Sequence, residues 1–236
     1  MASEHTLKQF DTELEAVRAR VLQMGGLVED QIGRAVNALV TGDTVAAARV
    51  VQDDHRVNGL EVAIDEECSS IIARRQPAAV DLRVLMMVVK TITDLERIGD
   101  EAAKIARMTQ HIYESERPTI PRMAEIRTVA DIALGMLRNS LDAFARLDLT
   151  IAAQVVRQDE QVDNAFRGIL RQLITFMMED PRTISSALDT IWVAKAIERI
   201  GDHAKNIAEY VVYIVEGKDI RHTDYAISQQ SNGHAD

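Results

Sequence analysis

The pentapeptide Glu96-Arg-Ile-Gly-Asp100 recurs 102 residues later as Glu198-Arg-Ile-Gly-Asp202. Each copy sets two carboxylates one helical turn apart, about 40° from each other around a helix axis. Leu85, Val89, Ile92 and Ala103 fall on the side of Glu96 and Asp100, and Ile184, Ala187, Ile191, Ala194 and Val212 accompany Glu198 and Asp202. Acids on an apolar face demand a chemical reason. Like charges four residues apart cost roughly 0.2–0.5 kcal/mol even on a wet helix. An unpaired carboxylate carried inside costs far more, so it must be protonated, paired or bound to a metal.

Further acids lie on the preceding helix of each half. Asp159 and Asp163 fall among Val155, Val162, Phe166, Leu170 and Leu173. Asp54, Asn58, Glu61 and Asp65 form one stripe bordering Val50, Val57, Ile64 and Cys68, and Asp54-His-Arg-Val-Asn58 resembles Asp159-Glu-Gln-Val-Asp163. Packed together, the two helices of a half bring up to four carboxylates to one spot, where a multivalent cation would turn repulsion into attraction. Oxygen-only ligands select hard ions. The ferritin-like di-iron recipe needs Glu-x-x-His, but Gly99 and Gly201 stand where the histidine would be. A salt-bridge lattice through Lys104, Lys195 or Lys205 is the competing account. Arg83, Lys90, Asp94, Arg97 and Glu101 read as the solvent face, Arg107 departs from that division, and Arg199 and His203 turn away from the second cluster.

Six helices are needed to position these groups. Apolar periodicity and its punctuation predict them over about 6–41, 43–75, 77–114, 122–147, 150–178 and 181–216. Asp43 reads as an N-cap, Pro77 and Pro181 as helix starts, and the two prolines of Glu116-Arg-Pro-Thr-Ile-Pro121 as a domain boundary. The expected organisation is all-α: two tandem three-helix bundles related by an internal repeat, over 1–116 and 117–222, with a mobile tail over 223–236. Composition agrees. The 236 residues are 47% hydrophobic but only 4% aromatic, as in packed helices rather than a β-sandwich. With 37 acids against 27 bases, a net charge of −10 disfavours nucleic acid. One cysteine excludes a disulfide framework or a Cys-based zinc site, and Cys68 reads as a buried small hydrophobe. No signal peptide or membrane span is expected, so a cytoplasmic protein is. Gly25-Gly26 inside the first helix implies close helix approach or a hinge. Arg74, Arg75 and Arg83 form the densest basic patch, either solvated turn residues or a partner-docking surface.

At these residues the chain resembles the PhoU family of phosphate-transport accessory proteins. The resemblance rests on both Glu-Arg-Ile-Gly-Asp copies, Arg74-Arg-Gln-Pro-Ala-Ala-Val-Asp-Leu-Arg83, Met24-Gly-Gly26 and Phe176-Met-Met-Glu-Asp-Pro-Arg182, and covers about Gln9 to Arg221. It implies a homodimer that negatively regulates phosphate uptake and phosphate-starvation signalling. The implied partners are the ATPase subunit of the phosphate ABC transporter and a sensor histidine kinase, with the membrane met only through them. It also implies metal at Glu/Asp-x-x-x-Asp motifs: Glu96/Asp100, Glu198/Asp202 and Asp159/Asp163 match, while Asp54/Asn58 departs, leaving Glu61 or Asp65 to substitute. The ion is divalent or trivalent (Fe, Mn, Mg or Zn), its identity open. Without a nucleophile, phosphate-cradling glycine loop or zinc triad, the chain reads as a non-enzyme. The alternative is a carboxylate-bridged di-metal phosphatase or oxidase.

Overall fold

The computed structural model describes residues 2–114 and 123–219. The proline-containing boundary at Glu116–Pro121 and the tail from Thr223 lie outside the described residues. Among the described residues every regular element is helical: α1 (Ala2–Thr41), α2 (Thr44–Asp53), α3 (His55–Arg75), α4 (Ala79–Tyr113), α5 (Met123–Arg146), α6 (Leu149–Glu179) and α7 (Ile184–Glu216), with one 3₁₀ turn at Pro181–Thr183. The second expected helix is thus two, α2 and α3. Helical hydrogen bonding lapses at Asp54, although its backbone (φ −58°, ψ −34°) stays helical, so periodicity alone could not reveal the break.

Capping explains the corners. Asp43 accepts a hydrogen bond from the Ala46 amide at 2.8 Å, as expected of an N-cap. Its repeat counterpart Asp148 accepts from Thr150 and Ile151 at 2.8 and 3.1 Å. Before these caps the chain reverses through left-handed residues, Gly42 (φ 70°) and Leu147 (φ 54°). Gly42 has a second reason to be glycine, because a β-carbon there would sit 2.5 Å from the Tyr113 ring.

In one bundle α1, α2–α3 and α4 pack on one another, and in the other α5, α6 and α7 do. The bundles join where α4 lies on α7 and α1 meets α5. Pairs such as Arg83 with Tyr213 and Lys104 with Trp192 make α4 and α7 antiparallel. The core is aliphatic, from Val21, Met24 and Ile32 through Leu85, Ile98 and Ile105 to Ile197, Ile200 and Ile207, and Cys68 is fully buried within it. Burial pushes the Cys68 thiol up to about 12, with Asp65 and Glu67 adding to it. At pH 7 it is therefore an uncharged hydrophobe.

The seam between α4 and α7 corrects one expectation. Asp94 and Glu101, read as solvent-facing, are buried, as is His203. His203 Nδ1 lies 2.7 Å from Asp94 Oδ1, Asn206 Nδ2 donates to the same oxygen at 3.2 Å, and Arg199 Nε pairs with Glu101 at 3.1 Å. Lys90 and Lys104 lie over the Tyr210 and Trp192 rings. A charged arc can face a neighbouring bundle when that bundle offers matching charges, and the single-helix pattern looks the same either way. Gly25 approaches Leu141 of α5, whereas Gly26 is exposed with open space around it, so only one of the paired glycines marks a close approach.

Candidate metal centre

The second-half cluster is the tighter one. Asp159 and Asp163 project from α6 toward Asp202 of α7, and one oxygen from each lies within 4.8 Å of the others. Asp159 is buried, its neighbours half-buried. Crowding shows in the electrostatics: burial first, then Glu198, Asp159 and Asp163, pushes the Asp202 carboxyl up to about 6 against the opposing pull of Lys195. Two lysines already answer part of this charge. Lys205 Nζ is 2.7 Å from Asp159 Oδ2, and Lys195 Nζ is 2.5 Å from Glu198 Oε2, where it also lies over the Phe166 ring. The salt-bridge account is thus realised here, but incompletely. Asp159 Oδ1 is buried and, among the described residues, meets no hydrogen-bond donor. A buried carboxylate oxygen without a donor, beside two further acids, fits a hard cation.

The first-half cluster is more open. Glu96 is half-buried and Asp100 exposed. Burial, then Asp100, Glu61 and Asp54, holds the Glu96 carboxyl above its usual range. Burial and Asp54 do the same to Asp100, with Arg107 and Arg97 opposing. Asp54, Glu61, Glu96 and Asp100 therefore share one electrostatic environment. Glu96 and Asp100 also border a cavity of about 320 Å³, which Arg97, Glu101 and Arg199 line with them. Asn58 and Asp65 are exposed on α3, and the charge of Asp65 acts on Cys68.

Gln31 of α1 was not anticipated. Its amide donates to Asp54 Oδ1 at 2.8 Å, orienting that carboxylate, while its own Oε1 is buried and lacks a hydrogen-bond partner among the described residues. A β-carbon on Gly99 would lie 3.2 Å from Gln31 Oε1 and 3.4 Å from Asp54 Oδ1. The glycine inside the first pentapeptide makes room for this amide. The signal available beforehand was a lone polar residue on a stripe of Val17, Val21, Met24, Val28 and Ile32.

Of the basic patch, Arg75 makes a two-pronged pair with Glu13 at 2.9 and 3.1 Å, holding α3 to α1. Arg83 donates to the Tyr213 and Ile214 carbonyls near the end of α7. Arg74 remains largely exposed, 3.7 Å from Glu13. No described helix is long and apolar enough to cross a membrane.

The PhoU domain family matches residues 21–109 and again 126–211. A Pseudomonas putida protein called "Phosphate-specific transport system accessory protein PhoU homolog" is 49% identical over 221 residues, 93% of this chain and 86% of that protein. The crystal structure of PhoU from Pseudomonas aeruginosa superposes with a TM-score of 0.85 at 48% identity, over 89% of this chain and all of the other. That of the phosphate transport system regulatory protein PhoU from Streptococcus pneumoniae gives 0.82 at 27% identity, over 89% and 98%.

Proposed function

The chain belongs to the PhoU family, and from that premise we propose that it is a cytoplasmic accessory protein of a phosphate-specific transport system. In this reading it is a non-catalytic homodimer. It holds phosphate uptake and phosphate-starvation genes down by bridging the ATPase subunit of the ABC transporter and a sensor histidine kinase. The observation that carries it is near-half identity to named accessory proteins over 93% of the chain. The names of its relatives, accessory and regulatory proteins, favour an adaptor over the di-metal enzyme.

We further propose that each acidic cluster takes a hard metal ion. Asp54, Glu61, Glu96 and Asp100 would hold one in the first half, with Asn58 and Asp65 at the outer edge. Asp159, Asp163, Glu198 and Asp202 would hold one in the second. The ion's part is to neutralise charge. The chain's part is placement: the acids come from two sides of one half, the α2–α3 junction and α3 against α4, or α6 against α7, so neutralising them draws those helices together. Whether the ion is iron, manganese, magnesium or zinc decides ligand number rather than this role.

Deleting the gene and measuring a phosphate-starvation reporter in high phosphate tests the regulatory reading. Expression should become constitutive, and the intact gene supplied in trans should silence it. A reporter that stays silent in the deletion strain rejects the reading.

A further inference from the structure

We propose that Lys205, assisted by Lys195, is a built-in counter-ion of the second-half cluster. It sets the order in which the halves take up a hard cation: the first half with no ammonium in place, the second only against an ammonium held by Asp159. This deepens, and rests on, the reading that the acidic clusters bind metal.

The argument starts from the repeat. The register that aligns Glu96 with Glu198 sets Ala103 opposite Lys205 and Thr93 opposite Lys195, and the register that aligns Asp54 with Asp159 sets Glu61 opposite Phe166. The second half therefore has an ammonium resting on an aromatic ring and a carboxylate, Lys195 with Phe166 and Glu198. At the same place the first half has a hydroxyl and a further acid, with Thr93 Oγ1 3.4 Å from Glu61 Oε1. Where Lys205 reaches Asp159 in the second half, the first half has a fully buried alanine methyl. No lysine touches the first cluster among the described residues. Arg97 and Arg107 act on Asp100 through charge alone.

Two consequences follow from Coulomb's law. In the first half, whose acids are less closely drawn together, a metal ion breaks no lysine–carboxylate pair. In the second it must settle on Asp159 beside the Lys205 ammonium, a like charge that opposes it and loosens the Lys205–Asp159 pair. Asp159 Oδ1 remains available, so the site is weakened rather than abolished. Lys205 is thus an affinity-setting residue that ligates nothing.

The test uses the full chain stripped with EDTA and titrated with Mn²⁺ alone, following free Mn²⁺ by electron paramagnetic resonance and heat by calorimetry. Two classes of binding are expected, the tighter lost in Glu96→Gln and the weaker in Asp202→Asn. Lys205→Met should tighten the weaker class at least tenfold and leave the tighter class alone, whereas the charge-keeping Lys205→Arg should not tighten it. In the unmutated chain, reductive methylation of Lys205 read by mass spectrometry should rise as the weaker class fills, which keeps the idea testable if a variant fails to fold. Overturning results are Lys205→Met leaving the weaker class unchanged or weakening it, loss of the weaker class in Glu96→Gln, or Lys205 methylation unmoved by Mn²⁺. Failure of Mn²⁺ to bind any folded variant would bring down the metal reading itself, and this inference with it.

Discussion

A carboxylate surrounded by carboxylates favours the folded state most when it carries a proton. Asp202 has a folded pKa of about 6 against an ordinary 3.8. The native state therefore binds protons that the unfolded chain releases, and stability from this group falls as pH rises through 6. Asp202→Asn removes that penalty. In EDTA it should stabilise the protein at pH 8 by on the order of 1 kcal/mol, after allowance for solvent screening of a half-exposed group, and the gain should shrink toward pH 5. Glu198→Gln should bring no such gain, because Lys195 then loses its partner. Urea unfolding at the two pH values decides it, and a variant weaker than the parent at pH 8 would contradict the crowding argument. The two pentapeptide glycines should also respond differently. A methyl at Gly201 makes only ordinary contact with Val162 at 3.4 Å, whereas one at Gly99 presses on Gln31 and Asp54. Gly99→Ala should weaken Mn²⁺ uptake in the first half several-fold and Gly201→Ala should leave the second half unmoved, by the same titration.

At the scale of the element, helix starts and stops were readable because they depend on local chemistry. Asp43 needed only its own carboxylate and the next turn's amides, and Asp148→Ala should cost about 1 kcal/mol of stability by loss of the matching cap. Gly26→Ala should raise the melting temperature, the gain being roughly 1 kcal/mol from helix propensity in open space. Gly25→Ala should lack that gain because Leu141 must move. Less was legible where a helix meets two neighbours. The inward turn of Asp159 and Asp202 followed from 3.6-residue spacing. The amide of Gln31 reaching Asp54 could not, since it depends on how α1 crosses the end of α2. The lysines were visible as possible partners: Lys195 pairs with Glu198 within its own helix, whereas the reach of Lys205 to Asp159 depends on the α6–α7 contact.

Across the whole molecule, the two bundles are joined by charge as well as by apolar surface. Asp94 accepts from both His203 and Asn206 while buried. Asp94→Ala strands two donors in the seam and should cost roughly 2–4 kcal/mol, more than a surface ion pair is worth. Chemical denaturation would measure it. A loss under half a kcal/mol would mean that the seam depends on its aliphatic contacts alone.

The seam also bears on how the gene can change. Asp94, His203 and Asn206 are not repeat-mates of one another: the aligned positions are Ala196, Glu101 and Lys104. Unequal crossing-over that rebuilt the chain from two first halves would set a glutamate against Asp94 where His203 now stands. The halves that began as copies have become complementary, and recombination can no longer substitute one for the other.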